Sequence, residues 1–273
     1  MNAAREASGN PTDNQAGGPS RQSAIPPVIE VRKISMDRPW QWIAAGASDL
    51  RRAAPVSLTY GAIWVVLSVS LIAGLVLGGL HHWLLPFAAG FMFAGPMVAV
   101  GTYAISYKLE RGQEPTLGDT FRAWSTNSMQ VALMGVGLMV FMLAWLRIAT
   151  ILFALFFGMD SPDPATLYST LLLSPNGLFG MIAVGTAIGA ILAFGAFAIS
   201  VVSLPLLLDR EVSVLEAIEA SLRSVALNFR PLLLWAAILT LFVLVGMLTF
   251  FIGLILILPL LGHASWHAYR DLV

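Results

Sequence analysis

The sequence predicts an all-α protein, a polytopic membrane bundle of six transmembrane helices in three hairpins, each preceded by an amphipathic interfacial helix. Three observations carry this. Of 273 residues, 58% are hydrophobic and 11% charged, against about a quarter charged in soluble domains. Long uncharged runs recur, and roughly 20 apolar residues at about 1.5 Å rise each cross a hydrocarbon core of about 30 Å. Lys and Arg gather between alternate runs and are missing from the others.

Residues 1–27 are rich in Gly, Pro, Ser, Asn and Gln and hold too few large apolar side chains to offset the entropy of ordering, so a disordered tail is expected. They contain no apolar run of signal-peptide length. Interfacial helices are predicted over about 38–54, 116–128 and 213–229. The first takes Asp37 as cap, Pro39 in its first turn, and Trp40, Ile43, Ala47 and Leu50 on one side. The other two open with capping boxes, Thr116 with Asp119 and Ser213 with Glu216. Their apolar stripes are Leu117, Phe121 and Trp124, then Val214, Ile218, Leu222, Val225 and Phe229.

The spans are predicted at about 56–80, 84–107, 129–157, 178–208, 231–248 and 252–270. "SPNG" at 174–177 precedes the fourth, and a tight turn within Gly246 to Gly253 separates the last two. Small residues at intervals of four, Gly74 with Gly78 and Gly185 with Gly189 and Ala193, are expected to let helices approach. Gly95 and Pro96 should kink the second span. Basic residues stand in excess on the cytoplasmic side of membrane proteins. With both termini inside, Arg32, Lys33, Arg51, Arg52, Lys108, Arg111, Arg122, Arg210, Arg223, Arg230 and Arg270 face the cytoplasm, while the outer loops keep His81, His82, Asp160 and Asp163. A bacterial inner membrane is the expected location.

Few residues could carry chemistry. His263 and His267 share one helix face, the spacing of a ligand pair, but Ala264 stands where a zinc protease needs its glutamate. Two histidines on one face cannot hold one haem iron from both sides; hydrogen bonds between helices are the plainer expectation. His81 and His82, beside Trp83, read as an interfacial boundary or a weak metal site. Arg147 is an intramembrane charge, costing roughly 2.5–3.5 kcal/mol at mid-membrane; it snorkels outward or pairs with Asp160 or Asp163. There is no cysteine, which removes disulfides, thiolate metal sites and thiol nucleophiles. With zero net charge no global field attracts nucleic acid.

Two segments, "VRKISMDRPWQWIAAGASDLRRA" and "PLLGHASWHAYRDLV", resemble the bacterial integral membrane family grouped as domain of unknown function 2189, from about residue 28 onward. The resemblance implies a six-span inner-membrane protein without an established activity. Members often bear the label of a cytochrome c oxidase subunit I, yet four histidines here are too few for the two haems and copper of that catalytic subunit. The leading reading is a non-catalytic scaffold or accessory factor whose partners are the bilayer and a membrane protein such as a respiratory complex. A small-solute transporter or channel, and a haem- or copper-binding respiratory accessory, are the alternatives. No cofactor is expected on the leading reading.

Overall fold

The computed structural model describes residues 29–80, 83–158 and 175–273, and among these every regular element is a helix. In chain order they are α1 Arg38–Arg52, α2 Ala54–Leu77, α3 Leu84–Glu110, α4 Leu117–Arg122, α5 Ser128–Phe157, α6 Pro175–Ser200, α7 Ser203–Asp209, α8 Val214–Leu227, α9 Phe229–Leu248 and α10 Leu254–Leu272. The tail, His81, His82, Asp160 and Asp163 lie outside the described residues. α6 starts at Pro175, inside the "SPNG" stretch expected to precede the span, since a proline is tolerated in a helix's first turn.

Local chemistry sets the boundaries. Both capping boxes form, with Thr116 and Ser213 exchanging bonds with Asp119 and Glu216. Asp37 does not cap α1; its carboxylate is taken by Ser35 and by the Gln41 amide instead. Between α9 and α10 the chain reverses over residues 249–253, with Phe250 and Phe251 at φ 52° and 67°. Side chains there cost of order 1 kcal/mol or more each, and the Thr249 hydroxyl, accepting from the Gly253 amide at 2.9 Å, helps hold the turn.

Five segments are long and apolar enough to cross a membrane: Ala54–Leu77, Pro86–Glu110, Ser128–Phe156, Phe179–Asp209 (α6 with α7) and Phe229–Leu248. They divide into two kinds. The windows of α2, α5 and α9 bury 22%, 17% and 28% of their residues, whereas those of α3 and α6–α7 bury 50% and 61%. α10 has 19 residues but a polar second half, so composition keeps it out of the five. That half is enclosed by protein: His263, Ala264, Trp266, Ala268, Tyr269 and Leu272 are all buried. α10 packs against α1, α2 and α3. Gly46 approaches the Leu260–Ala264 backbone, Gly61 the Ile255 carbonyl, and Gly262 the Thr102 side chain.

The expected stripes of the short helices α1, α4 and α8 are split in the structure: Leu50 and Val225 are buried and Ile43, Trp124, Val214 and Ile218 pack against the core, while Trp40, Phe121 and Leu222 are exposed. α1 buries Trp42, Gly46, Asp49 and Leu50 while Trp40 is exposed. Beside α4, Thr120 and Ala123 are buried and Phe121 is exposed. α8 buries Ala217, Ala220, Ser221 and Ser224 and exposes Leu215, Leu222 and Leu227. Small residues permit close helix approach, and large apolar ones are stable on the outside where the surroundings are also apolar. Gly74 likewise has nothing within 4 Å of a would-be side chain, and Gly78 meets mainly its own helix, so this pair forms no helix contact. Gly189, by contrast, lies against the Trp145 ring.

Candidate functional site

The two C-terminal histidines sit in a buried hydrogen-bonded chain joining α1, α2, α3 and α10. His263 Nε2 meets Ser57 Oγ at 3.0 Å and its Nδ1 meets Ser106 Oγ at 2.8 Å. The Ser106 hydroxyl donates to Asp49 Oδ2 at 2.8 Å, and that same oxygen lies 2.9 Å from His267 Nε2. The roles follow from proton counting. An ionised carboxylate only accepts, so Ser106 gives its proton to Asp49 and accepts from Nδ1–H of His263; a neutral His263 then accepts the Ser57 proton at Nε2. Burial pushes the Asp49 carboxyl up, but hydrogen bonds from His267 and Ser106 outweigh it, leaving its pKa below the ordinary value. Arg52 adds a longer contact at 3.8 Å.

This chain of groups ties four helices together. Ser57 and His263 are fully buried. Both ring nitrogens of His263 are bonded to hydroxyls, and Nε2 of His267 faces Asp49. No group of three or more ligating residues comes together among the described residues. Asp49, Ser57 and Ser106 were not singled out from sequence. A signal for Asp49 did exist: it lies three and seven residues beyond Gly46 and Trp42, on the face that α1 buries.

A second polar assembly closes the end of the bundle that carries the charged loops, here the charged end. The last turns of α3, α7 and α10 meet through Glu110 with Arg270 at 3.0 Å, Asp209 with Arg270 at 3.3 Å and Asp209 with Arg111 at 3.5 Å. The Tyr269 hydroxyl donates to Asp209 at 2.7 Å, and the Trp266 indole to Glu110 at 3.2 Å. Beside this, Arg38 and the Trp42 indole both reach Asp271, pinning α1 to the end of α10. Lys108, 2.7 Å from Asp119, holds that carboxyl down to about 2, with help from Thr116.

On the opposite side of the α3–α10 contact lies a cavity of about 550 Å³. α3 contributes Gly95, Pro96 and Tyr103, so the expected kink residues line it. α6 adds Gly185, Gly189 and Ala193, α9 adds Ala236 and Thr240, α10 adds Gly262 and Ser265, and Trp145 of α5 forms part of the wall. The lining holds no Asp, Glu, Lys, Arg or His. At the charged end Phe194 of α6 and Phe229 of α9 meet edge to face, 5.8 Å between ring centres. Arg147 is exposed on α5 and does not line the cavity.

No curated protein and no solved structure matches this chain. The family named from the sequence is nevertheless found, over a stretch between the two segments that suggested it. Residues 84–209, from the start of α3 to the end of α7, match the family model described as predicted integral membrane protein (DUF2189). Together with five helices of membrane-crossing length and composition, this match marks the chain as a multi-pass integral membrane protein that is similar to that family over residues 84–209.

Proposed function

We propose that the chain crosses the bilayer six times as three hairpins, α2 with α3, α5 with α6–α7, and α9 with α10, each led by an interfacial helix, α1, α4 or α8. Both ends lie on the cytoplasmic side of a bacterial inner membrane, where the protein serves as a non-catalytic scaffold or accessory factor. The supporting observation is the outward display on the interfacial helices. Trp40 beside Arg38, Phe121 beside Arg122 and Leu222 beside Arg223 form pairs of a large exposed apolar side chain and a cation. Such pairs suit the boundary between acyl chains and anionic headgroups, or a partner lying there. The second helix of each hairpin is the more enclosed one, which also fits three equivalent units.

Because the native chain has no cysteine, single cysteines report topology directly. Glu30→Cys, Gln113→Cys, Glu211→Cys and a cysteine added after Val273 should react with an impermeant maleimide only after the inner membrane is breached. Ile252→Cys should react in intact spheroplasts. A C-terminal cysteine labelled from outside would leave five crossings and sink the six-span arrangement. For the scaffold reading, photo-reactive residues at Trp40 and Leu222 should capture the same discrete membrane protein in cells; cross-links to lipid alone would remove it.

A further inference from the structure

The cavity beside Gly95 and Pro96 has dimensions and polarity that narrow its occupant. Along α3 the lining runs from Ala89 to Tyr103, and along α6 from Gly185 to Val201, which is about 20 Å at 1.5 Å per residue. A volume of about 550 Å³ lies within the roughly 300–1,000 Å³ of ligand sites, and its length along these helices suits an extended hydrocarbon chain. The room has a cause in sequence: the walls carry Ala193, Ala236 and Ala237, where larger side chains would take up the space.

Position and polarity narrow the choice. α3, α6 and α9, which supply most of the wall, are all membrane-crossing segments, so the surrounding medium is acyl chains. α6 and α9 meet at Phe194 and Phe229, while α9 otherwise packs on α10, α8 and α1. The cavity is partly open, and both α6 and α9 line it. The polar groups of the wall are hydroxyls, and Tyr103, Ser200 and Ser265 cluster toward the charged end. A free fatty acid would bring a carboxylate to a wall with no cation, a costly burial. An ester-linked chain brings only carbonyl oxygens, which hydroxyls can serve, and leaves its phosphate at the boundary.

We propose that this cavity is a binding site for a single acyl chain of a membrane phospholipid, entered from the bilayer between α6 and α9. The inference needs only that these helices lie in lipid, so it stands or falls separately from the scaffold reading.

The test is made on the full chain purified in mild detergent and washed until annular lipid is removed. Mass spectrometry of the intact protein should find about one phospholipid retained per chain. Ala193→Leu and Ala236→Leu, on facing walls, should each lower that retention about tenfold by occupying the space, while Val140→Leu on the exposed face of α5 leaves it unchanged. Absence of retained phospholipid in the wild type, equal retention in both leucine variants, or a retained isoprenoid or free fatty acid instead would overturn the proposal. A second measurement needs no variant. In bilayers containing phospholipid spin-labelled near the chain terminus, the wild type should show a slowly exchanging immobilised component, and a spectrum with only fast annular exchange would overturn the site as well.

Discussion

Asp49 anchors the buried chain of polar groups because its oxygen takes two of the four hydrogen bonds, from Ser106 and His267. Asp49→Ala would leave the Ser106 hydroxyl and His267 without their acceptor in a buried place, and removal of one partner of a buried charged set costs about 3 kcal/mol. Ser57→Ala removes only a neutral donor from His263, with an expected loss of about 1 kcal/mol. Thermal unfolding in a single detergent should therefore rank Asp49→Ala well below Ser57→Ala, and the reverse order would show that the chain is not organised around the carboxylate. Acid sensitivity follows in the same direction. The Asp119 carboxyl is held at about 2 against an ordinary 3.8, so its contribution is complete above about pH 4 and disappears as pH falls through about 2. Amide exchange in α4 should accelerate over that interval, and Asp119→Asn should abolish the pH dependence.

For single elements, the glycines decide which helices can touch. A side chain at Gly46 would stand 2.6 Å from the Ala264 nitrogen and 2.9 Å from the Leu260 carbonyl, backbone atoms that cannot rotate away. Gly46→Ala should accordingly displace α1 from α10 and destabilise by about 2 kcal/mol or more. Gly74→Ala, with nothing within 4 Å, should be neutral or stabilise by up to about 1 kcal/mol through helix propensity. Melting temperatures of the two variants should move in opposite directions or only the first should move. The comparison also explains what could be read from sequence. Apolar length and capping chemistry are local properties, so five of the six expected spans, Thr116 and Ser213 were legible in advance. Which face of a helix meets a neighbour is not local: spacing by four marked Gly74 and Gly78, yet the close approaches occur at Gly46, Gly61 and Gly262. The stripes of α1, α4 and α8 were legible only in part for a related reason: Leu50 and Val225 are buried while Trp40, Phe121 and Leu222 are exposed, because small residues such as Gly46 and Ala217 take the closest helix contacts.

Across the whole molecule, His263 and His267 were recognisable as polar groups on one face, but their partners come from three other helices between 157 and 218 residues away along the chain; hydrogen-bond partners so remote leave no pattern in spacing. The same holds at the charged end, where α3, α7 and α10 converge on Asp209 and Arg270. Arg270 and Arg111 are about two-fifths exposed while the Asp209 side chain is only 8% exposed, so each arginine alone is a weakly worthwhile surface partner, but the carboxylate they share is enclosed and also holds the Tyr269 hydroxyl. A double-mutant cycle separates these cases. If the three helix ends act as one closure, Asp209→Ala and Arg270→Ala should be non-additive, with a coupling of about 1 kcal/mol in unfolding free energy. Asp209→Ala should also cost more than Arg270→Ala, because it strands two arginines and a buried hydroxyl rather than freeing one exposed cation. Additivity within a few tenths of a kcal/mol would mean that the inner helices are held by their apolar faces alone, with the charged end only decorating the contact.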